Sequence, residues 1–132
     1  MTTIPALPPH LTQDAIDALA EKYGPAPTAT SLYAHLGRYA RRARAGQPVL
    51  LTTTGGRLGA AIVSIVWVDL SMWHPVDIRR ASWTLTRAPS MLRHLIDGAA
   101  GDNRTTILTD RGHPLAAIVS LALLLAADRT AA

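Results

Sequence analysis

Residues 49–64, VLLTTTGGRLGAAIVS, recur as residues 105–120, TTILTDRGHPLAAIVS, and the two stretches align without a gap at a constant offset of 56. Seven of the sixteen positions are identical: Thr53 and Thr109, Gly56 and Gly112, and the block AAIVS at 60–64 and 116–120. Low complexity rarely produces a five-residue identity flanked by an aligned glycine, so the pattern reads as a duplicated supersecondary unit. A unit of about 50 residues buries too little apolar surface to be secure alone. Two copies in a 132-residue chain are therefore expected to share one core.

The pattern around each copy says what the unit contains. In the first, Leu32, Leu36, Tyr39, Ala40 and Ala43 fall on one side of a helix capped by Thr30 or Ser31. Gly46, Gln47 and Pro48 end that helix, residues 49–52 read as a strand, and residues 60–66 return as its partner. Gly55 and Gly56 supply the positive φ that a tight hairpin needs. In the second copy a helix starts near Pro89 and carries Leu92, Leu95, Ile96 and Ala99, breaks at Gly101, Asp102 and Asn103, and leads to a hairpin turning at Asp110, Arg111 and Gly112.

Residues 82–85, SWTL, predict a short strand ahead of the second helix. The matching place in the first copy, residues 25–30, holds Pro25 and Pro27, which cannot donate ladder hydrogen bonds, so that strand is expected to be lost or kept only as an edge. Residues 67–73 predict a short helix ending before Pro75, with Trp67 and Trp73 packing inward and residues 76–80 linking the copies. Ser120 is placed to cap a last helix over 121–128.

Ahead of both copies, Pro5, Pro8 and Pro9 predict an extended lead-in over residues 1–10. Thr12 then caps a helix whose apolar stripe is Ile16, Leu19, Ala20 and Tyr23, stopped by Gly24 and Pro25. That helix either covers an edge of the shared core or binds a partner. The expected fold class is thus α+β: an N-terminal extension over 1–29, a first helix-plus-hairpin module over 30–75, a linker over 76–80 and a second module over 81–132, packed as an intramolecular pseudo-dimer.

Charge is spread unevenly. Residues 1–30 hold Asp14, Asp17 and Glu21 against Lys22, a net of −2, while residues 31–132 hold twelve arginines and six aspartates, a net of +6. Every cation of the repeat region is arginine, whose fork suits phosphate and base edges. At 100° per residue Arg38, Arg41 and Arg42 share the side of their helix opposite the apolar stripe, with Arg44 at its margin. No acid is interleaved among them, so the face is either simply solvated, as helix charges usually are, or set against an anion such as phosphate, which their mutual repulsion favours. The second helix offers a weaker cationic face, with Arg87, Arg93 and Asp97.

Other chemistries find little support. Cysteine is absent, which removes disulfides, thiolate metal sites and a cysteine nucleophile and suits a reducing cytoplasm. The N-terminus lacks a secretory pattern, and the longest apolar run, residues 115–127, is too short for a membrane span, which needs about 20 residues. The glycine pair at 55–56 passes into a strand rather than a helix and no lysine follows, against a phosphate loop. Of the five histidines only His94 has an acid, Asp97, three or four residues away on the same predicted helix, and Ser64 and Ser120 lack a nucleophile-elbow setting. No enzyme, metal or cofactor is expected.

The order of these pieces resembles the Phd/YefM antitoxin family. The resemblance rests on Leu36, Ala43, the step from Gly46 to Val49, the strand residues Leu51, Thr52 and Thr53, the Gly56-Arg57 turn and the AAIVS block. In the second copy it rests on residues 108–114, LTDRGHP, and covers residues 30–128 overall. The resemblance implies a cytoplasmic DNA-binding repressor of its own operon, with neutralisation of a partner toxin as a second role and homo-oligomers on adjacent operator sites. On that reading Arg38, Arg41, Arg42, Arg44, Arg87 and Arg93 contact DNA, and Ile16, Leu19 and Tyr23 are the remaining apolar contacts for a toxin. The chain departs from the family in two ways. It stops at Ala132 without a long toxin-wrapping tail, and the family's arginine near the start of the first helix is replaced by Tyr33 and Pro89. The alternative is a degenerate module that binds only a protein.

Overall fold

Each AAIVS block forms the long strand of a hairpin, and the two long strands lie side by side. In the computed structural model, which describes residues 11–131, β1 (Val49–Thr52) pairs with β2 (Leu58–Ser64), and β4 (Thr106–Asp110) pairs with β5 (His113–Ser120). The two hairpins join through β2 and β5, antiparallel, with Ile62 opposite Ile118, Ala60 opposite Ser120 and Ser64 opposite Ala116. The same five-residue segment thus pairs with its own copy about a local two-fold centred on the isoleucines. A parallel strand β3 (Ser82–Thr84) completes a five-stranded mixed sheet of order β1-β2-β5-β4-β3. The fold is α+β, with six helices among the described residues.

The gapless alignment is corrected in one respect. Thr52 pairs with Leu58 after a bulge, and Thr109 pairs with Pro114 after a bulge at the matching place. The second strands therefore correspond at an offset of 56 and the first strands at 57, and Leu51 matches Leu108, both in the same core cluster. The cause is turn chemistry. The second hairpin turns through Arg111 (φ 52) and Gly112 (φ 81), the double positive φ of a two-residue turn, whereas the first needs a longer loop closed by the Thr53 N–H on the Arg57 carbonyl at 2.8 Å. The Thr53 and Thr109 identity belongs to the sequence alignment, not to the ladder.

Helices cover both faces. On one face lie α2 (Ala29–Ala34), α3 (Leu36–Arg44) and α5 (Leu92–Asp102), whose Leu32, Leu36, Ala40, Ala43, Leu92, Leu95, Ile96 and Ala99 meet Val49, Leu51, Ile62, Leu108 and Ile118 of the sheet. On the other lie α1 (Gln13–Tyr23) and α6 (Leu121–Ala131), whose Leu19, Leu121, Leu124 and Leu125 meet Leu50, Val63 and Val119. Alternation along β1, β2 and β5 feeds both clusters, as a sheet buried on two faces requires. Ile62 and Ile118 are fully buried, and burial of each side chain contributes about 1.5–3 kcal/mol.

Several expected elements moved. The helix expected across 30–44 is two helices, broken at His35 (φ −129, ψ 32), with Leu32 and Leu36 both buried on either side of the break, and Thr28 is the cap, accepting from the Ser31 N–H at 3.1 Å. Residues 67–73 form no α-helix. Only Ile65–Trp67 make a 3-10 turn, and Asp69 then captures the Ser71 N–H at 2.9 Å and its hydroxyl at 2.6 Å, a local bond that competes with helix formation. The expected linker over 76–80 lies entirely within a helix, α4 (Pro75–Ala81), because Pro75 suits a first position and the His74 side chain caps the Val76 N–H at 3.1 Å. No strand forms over 25–30, as the prolines predict. The lead-in over 1–10 lies outside the described residues. Among those described, no helix is long and apolar enough to cross a membrane.

Candidate nucleic-acid interface

The cationic face of α3 follows from its amphipathic spacing. With Leu36, Ala40 and Ala43 buried, Arg38, Arg41, Arg42 and Arg44 are exposed. They do not stand in equivalent surroundings. The Arg41 side chain lies over Gly37, where an added Cβ would be 3.1 Å from its guanidinium, and reaches Asp110 in the turn of the second hairpin at 3.7 Å. The pair is weak, since both side chains keep much of their surface in water (63% and 41%). Arg38, Arg42 and Arg44 make no ion pair among the described residues. Three arginines are thus left to solvent or to an anion.

The other two expected contacts are more dispersed. Arg93 is exposed on α5, in the same helical layer as α3, beside His94 and Asp97. Arg87 is exposed beyond β3, at the far edge of the sheet, with its guanidinium 5.7 Å from the centre of the Trp83 ring. Arg80, at the end of α4, lines the same small hollow as Trp83 and Arg87. Reading residues 76–80 as a linker hid Arg80; the Pro75 start signal was the available clue.

Asp97 has a structural use. It accepts the Thr54 N–H at 2.9 Å and also the Thr54 hydroxyl, and these bonds hold its carboxyl below the usual range. Its partner is therefore the first hairpin's turn rather than the neighbouring His94. Ser64 and Ser120 are buried caps, accepting from the Val66 N–H at 3.3 Å and the Leu123 N–H at 3.1 Å, and the Ser120 hydroxyl donates to Asn103 at 2.6 Å. Among the described residues no group of three or more His, Asp or Glu is arranged to hold a metal ion.

The apolar stripe expected to meet a toxin is taken up inside the molecule. Leu19 is 2% exposed, and Ile16 and Tyr23 are half-buried against the α6 side of the sheet. The Tyr23 hydroxyl donates to Asp128 of α6, and Lys22 pairs with the same carboxylate at 2.6 Å. Burial alone would raise the Asp128 pKa, but the bonds from Lys22 and Tyr23 outweigh it and hold the carboxyl below its ordinary value. Burial, then the bond to Asp128, pushes the Tyr23 phenol up. The helix covers the core, on the face opposite α3 and α5. Of the two roles weighed for it, covering is the one its packing fulfils.

No protein-family model matches this chain, and neither a curated protein nor a solved structure matches it.

Proposed function

We propose that the chain is a Phd/YefM-like DNA-binding repressor in which two tandem modules on one chain take the place of a homodimer. The observation that carries this reading is the face of α3, where Arg38, Arg42 and Arg44 stand exposed and without an ion pair among the described residues, on a helix fixed to a two-sided core. Arg93 in the same layer extends the cationic surface. Several of these arginines neutralise backbone phosphates, and one or two reach base edges to specify the site. The antiparallel seam at Ile62 and Ile118 supports the pseudo-dimer arrangement, because a two-fold pairing of identical segments is what a symmetric dimer uses. Neutralisation of a toxin is the weaker part of the proposal, since α1 is committed to the core.

A second reading, a module that binds only protein, draws on Arg41, which is engaged by Asp110, and on Tyr33 and Pro89 standing where the family carries its arginine. A footprint on the DNA upstream of the protein's own gene separates the two. The expected result is a protected site that outcompetes unrelated duplex and weakens steeply with salt. No protection at low salt would reject DNA binding and favour the second reading.

A further inference from the structure

The small hollow against the outer edge of β3, about 200 Å³, is lined by Arg80, Ser82, Trp83, Thr84 and Arg87 and by no acid. Neither arginine is in an ion pair among the described residues. Two acids lie near them in the chain or the ladder. Asp77, one turn before Arg80 on α4, pairs with neither, and Asp110, which follows the Thr109 opposite Thr84, is engaged by Arg41 at 3.7 Å. Arg80 stands in the last turn of α4, where a cation also answers the helix dipole, but Arg87 follows a strand and has no such end to answer.

The strand edge adds a donor. The Leu85 N–H donates to the Thr109 carbonyl at 3.0 Å, and β3 runs parallel to β4 with Trp83 opposite Leu108 and Thr84 opposite Thr109. Backbone groups alternate sides along a strand, so Trp83 and Leu85 face β4 and the Thr84 N–H faces the open edge, where no further strand pairs. It has no backbone partner among the described residues. The Thr84 side-chain oxygen accepts the Arg87 N–H at 3.1 Å, which leaves its hydroxyl proton to give. That bond, with the one from the same N–H to the Thr84 carbonyl at 3.1 Å, fixes the turn that brings Arg87 back over β3, its guanidinium 5.7 Å from the centre of the Trp83 ring. The Ser82 hydroxyl donates to the Ile78 carbonyl at 2.6 Å and fixes the join from α4, which carries Arg80.

We propose that this hollow is an oxyanion site that takes a phosphate group, with the Arg80 and Arg87 guanidiniums, the Thr84 N–H and the Thr84 hydroxyl as its donors. Phosphate offers three or more acceptor oxygens to donors arriving from a helix, a strand and a turn, where a carboxylate offers two. The volume is below the roughly 300–1,000 Å³ of sites that enclose a whole small molecule, so it suits one anionic group. Donors already held by their neighbours lose little freedom when the anion arrives. The group belongs either to a nucleic-acid backbone or to a free phosphate, and the chemistry of capture is the same. The site does not depend on whether α3 meets DNA.

Nuclear magnetic resonance of the isotope-labelled full chain tests it, with inorganic phosphate replacing chloride at fixed pH and ionic strength. The Thr84 amide signal and the indole N–H signal of Trp83, under Arg87, are expected to move to saturation. Arg80→Gln and Arg87→Gln are each expected to weaken binding about tenfold. Both side chains are exposed, so the fold is retained, and unchanged amide signals from Ile62 and Ile118 verify it. Signals that do not move, that move equally in the double variant, or that share their midpoint with the α3 amides would overturn the site. Acetate bound as tightly as phosphate would overturn the choice of phosphate. Duplex DNA then separates the sources. Weaker duplex binding with a lower salt slope in both variants assigns the site to backbone phosphate. Duplex binding that is unchanged or absent, with inorganic phosphate still bound, assigns it to a free phosphate, and an absent one rejects the repressor reading while leaving this site standing.

Discussion

Arg41 of α3 reaches Asp110 in the turn of the second hairpin, and Asp97 of α5, 56 residues further on, reaches Thr54 in the turn of the first. Each helix is tied to the other module's hairpin from the same helix position, although the one-residue shift between the first strands makes the hairpin ends differ. The sign has been exchanged: in one module the acid sits on the turn, in the other on the helix. Asp97 takes a fixed backbone N–H and a hydroxyl, while Arg41 makes a longer, wetter ion pair. The Asp97 link is the tighter of the two, and the Arg41 link is the one more open to water. On the proposed function, the contrast separates the two helices, with α3 presenting an anion-binding face and α5 used in structure.

The largest expected effect concerns what the modules still share. Ile62→Ala and Ile118→Ala should each destabilise by about 2–5 kcal/mol in urea unfolding, by similar amounts, and the double variant should lose less than the two together because the residues oppose each other. A large inequality would break the idea of an even seam. The next effect separates the helices. Replacing Arg38, Arg42 and Arg44 with Ala should reduce the log-log salt slope of DNA binding by about 0.9 for each phosphate that is no longer neutralised, and replacing Arg87 and Arg93 should reduce it less. An equal reduction would place both modules on the DNA.

Thr54→Val should cost about 1 kcal/mol, the usual worth of a lost hydrogen bond. Because Asp97 is held below its ordinary pKa when folded, its contribution is present above the unfolded value of about 3.9 and is lost as pH falls through the folded value. The stability gap between wild type and Asp97→Asn should therefore be constant near neutrality and close in acid. Smallest is Asp110→Asn, expected to change stability by about 0.5 kcal/mol or less while strengthening any DNA binding that Arg41 joins, seen as a steeper salt dependence.

The sequence carried the hairpins and their helices because their signals are local: a positive-φ turn, a cap, an apolar stripe. Thr12 capping α1, Ser120 capping α6 and Pro27 denying a strand all follow from single residues. What it concealed depends on three-dimensional competition. A one-residue shift between strands cannot be seen when the identical block dominates the alignment, and the helix over residues 67–73 gave way to a side-chain bond at Asp69. The arginine face was legible from periodicity. The engagement of Arg41 was not, since Asp110 lies 69 residues away in the chain.

The seam between β2 and β5 also sets an order of events. Each hairpin closes over a few residues and can form early, but the seam joins strands whose matching residues lie 56 apart, and non-local pairings form late. During synthesis at about 5–20 residues per second, the first hairpin waits roughly 3–11 seconds for its counterpart. Through that interval Ile62 and the open edge of β2 have nothing to pair with. The nascent first module is the molecule's most vulnerable state, and the strand that makes the finished fold self-complementary is the one that puts two unfinished chains at risk of joining.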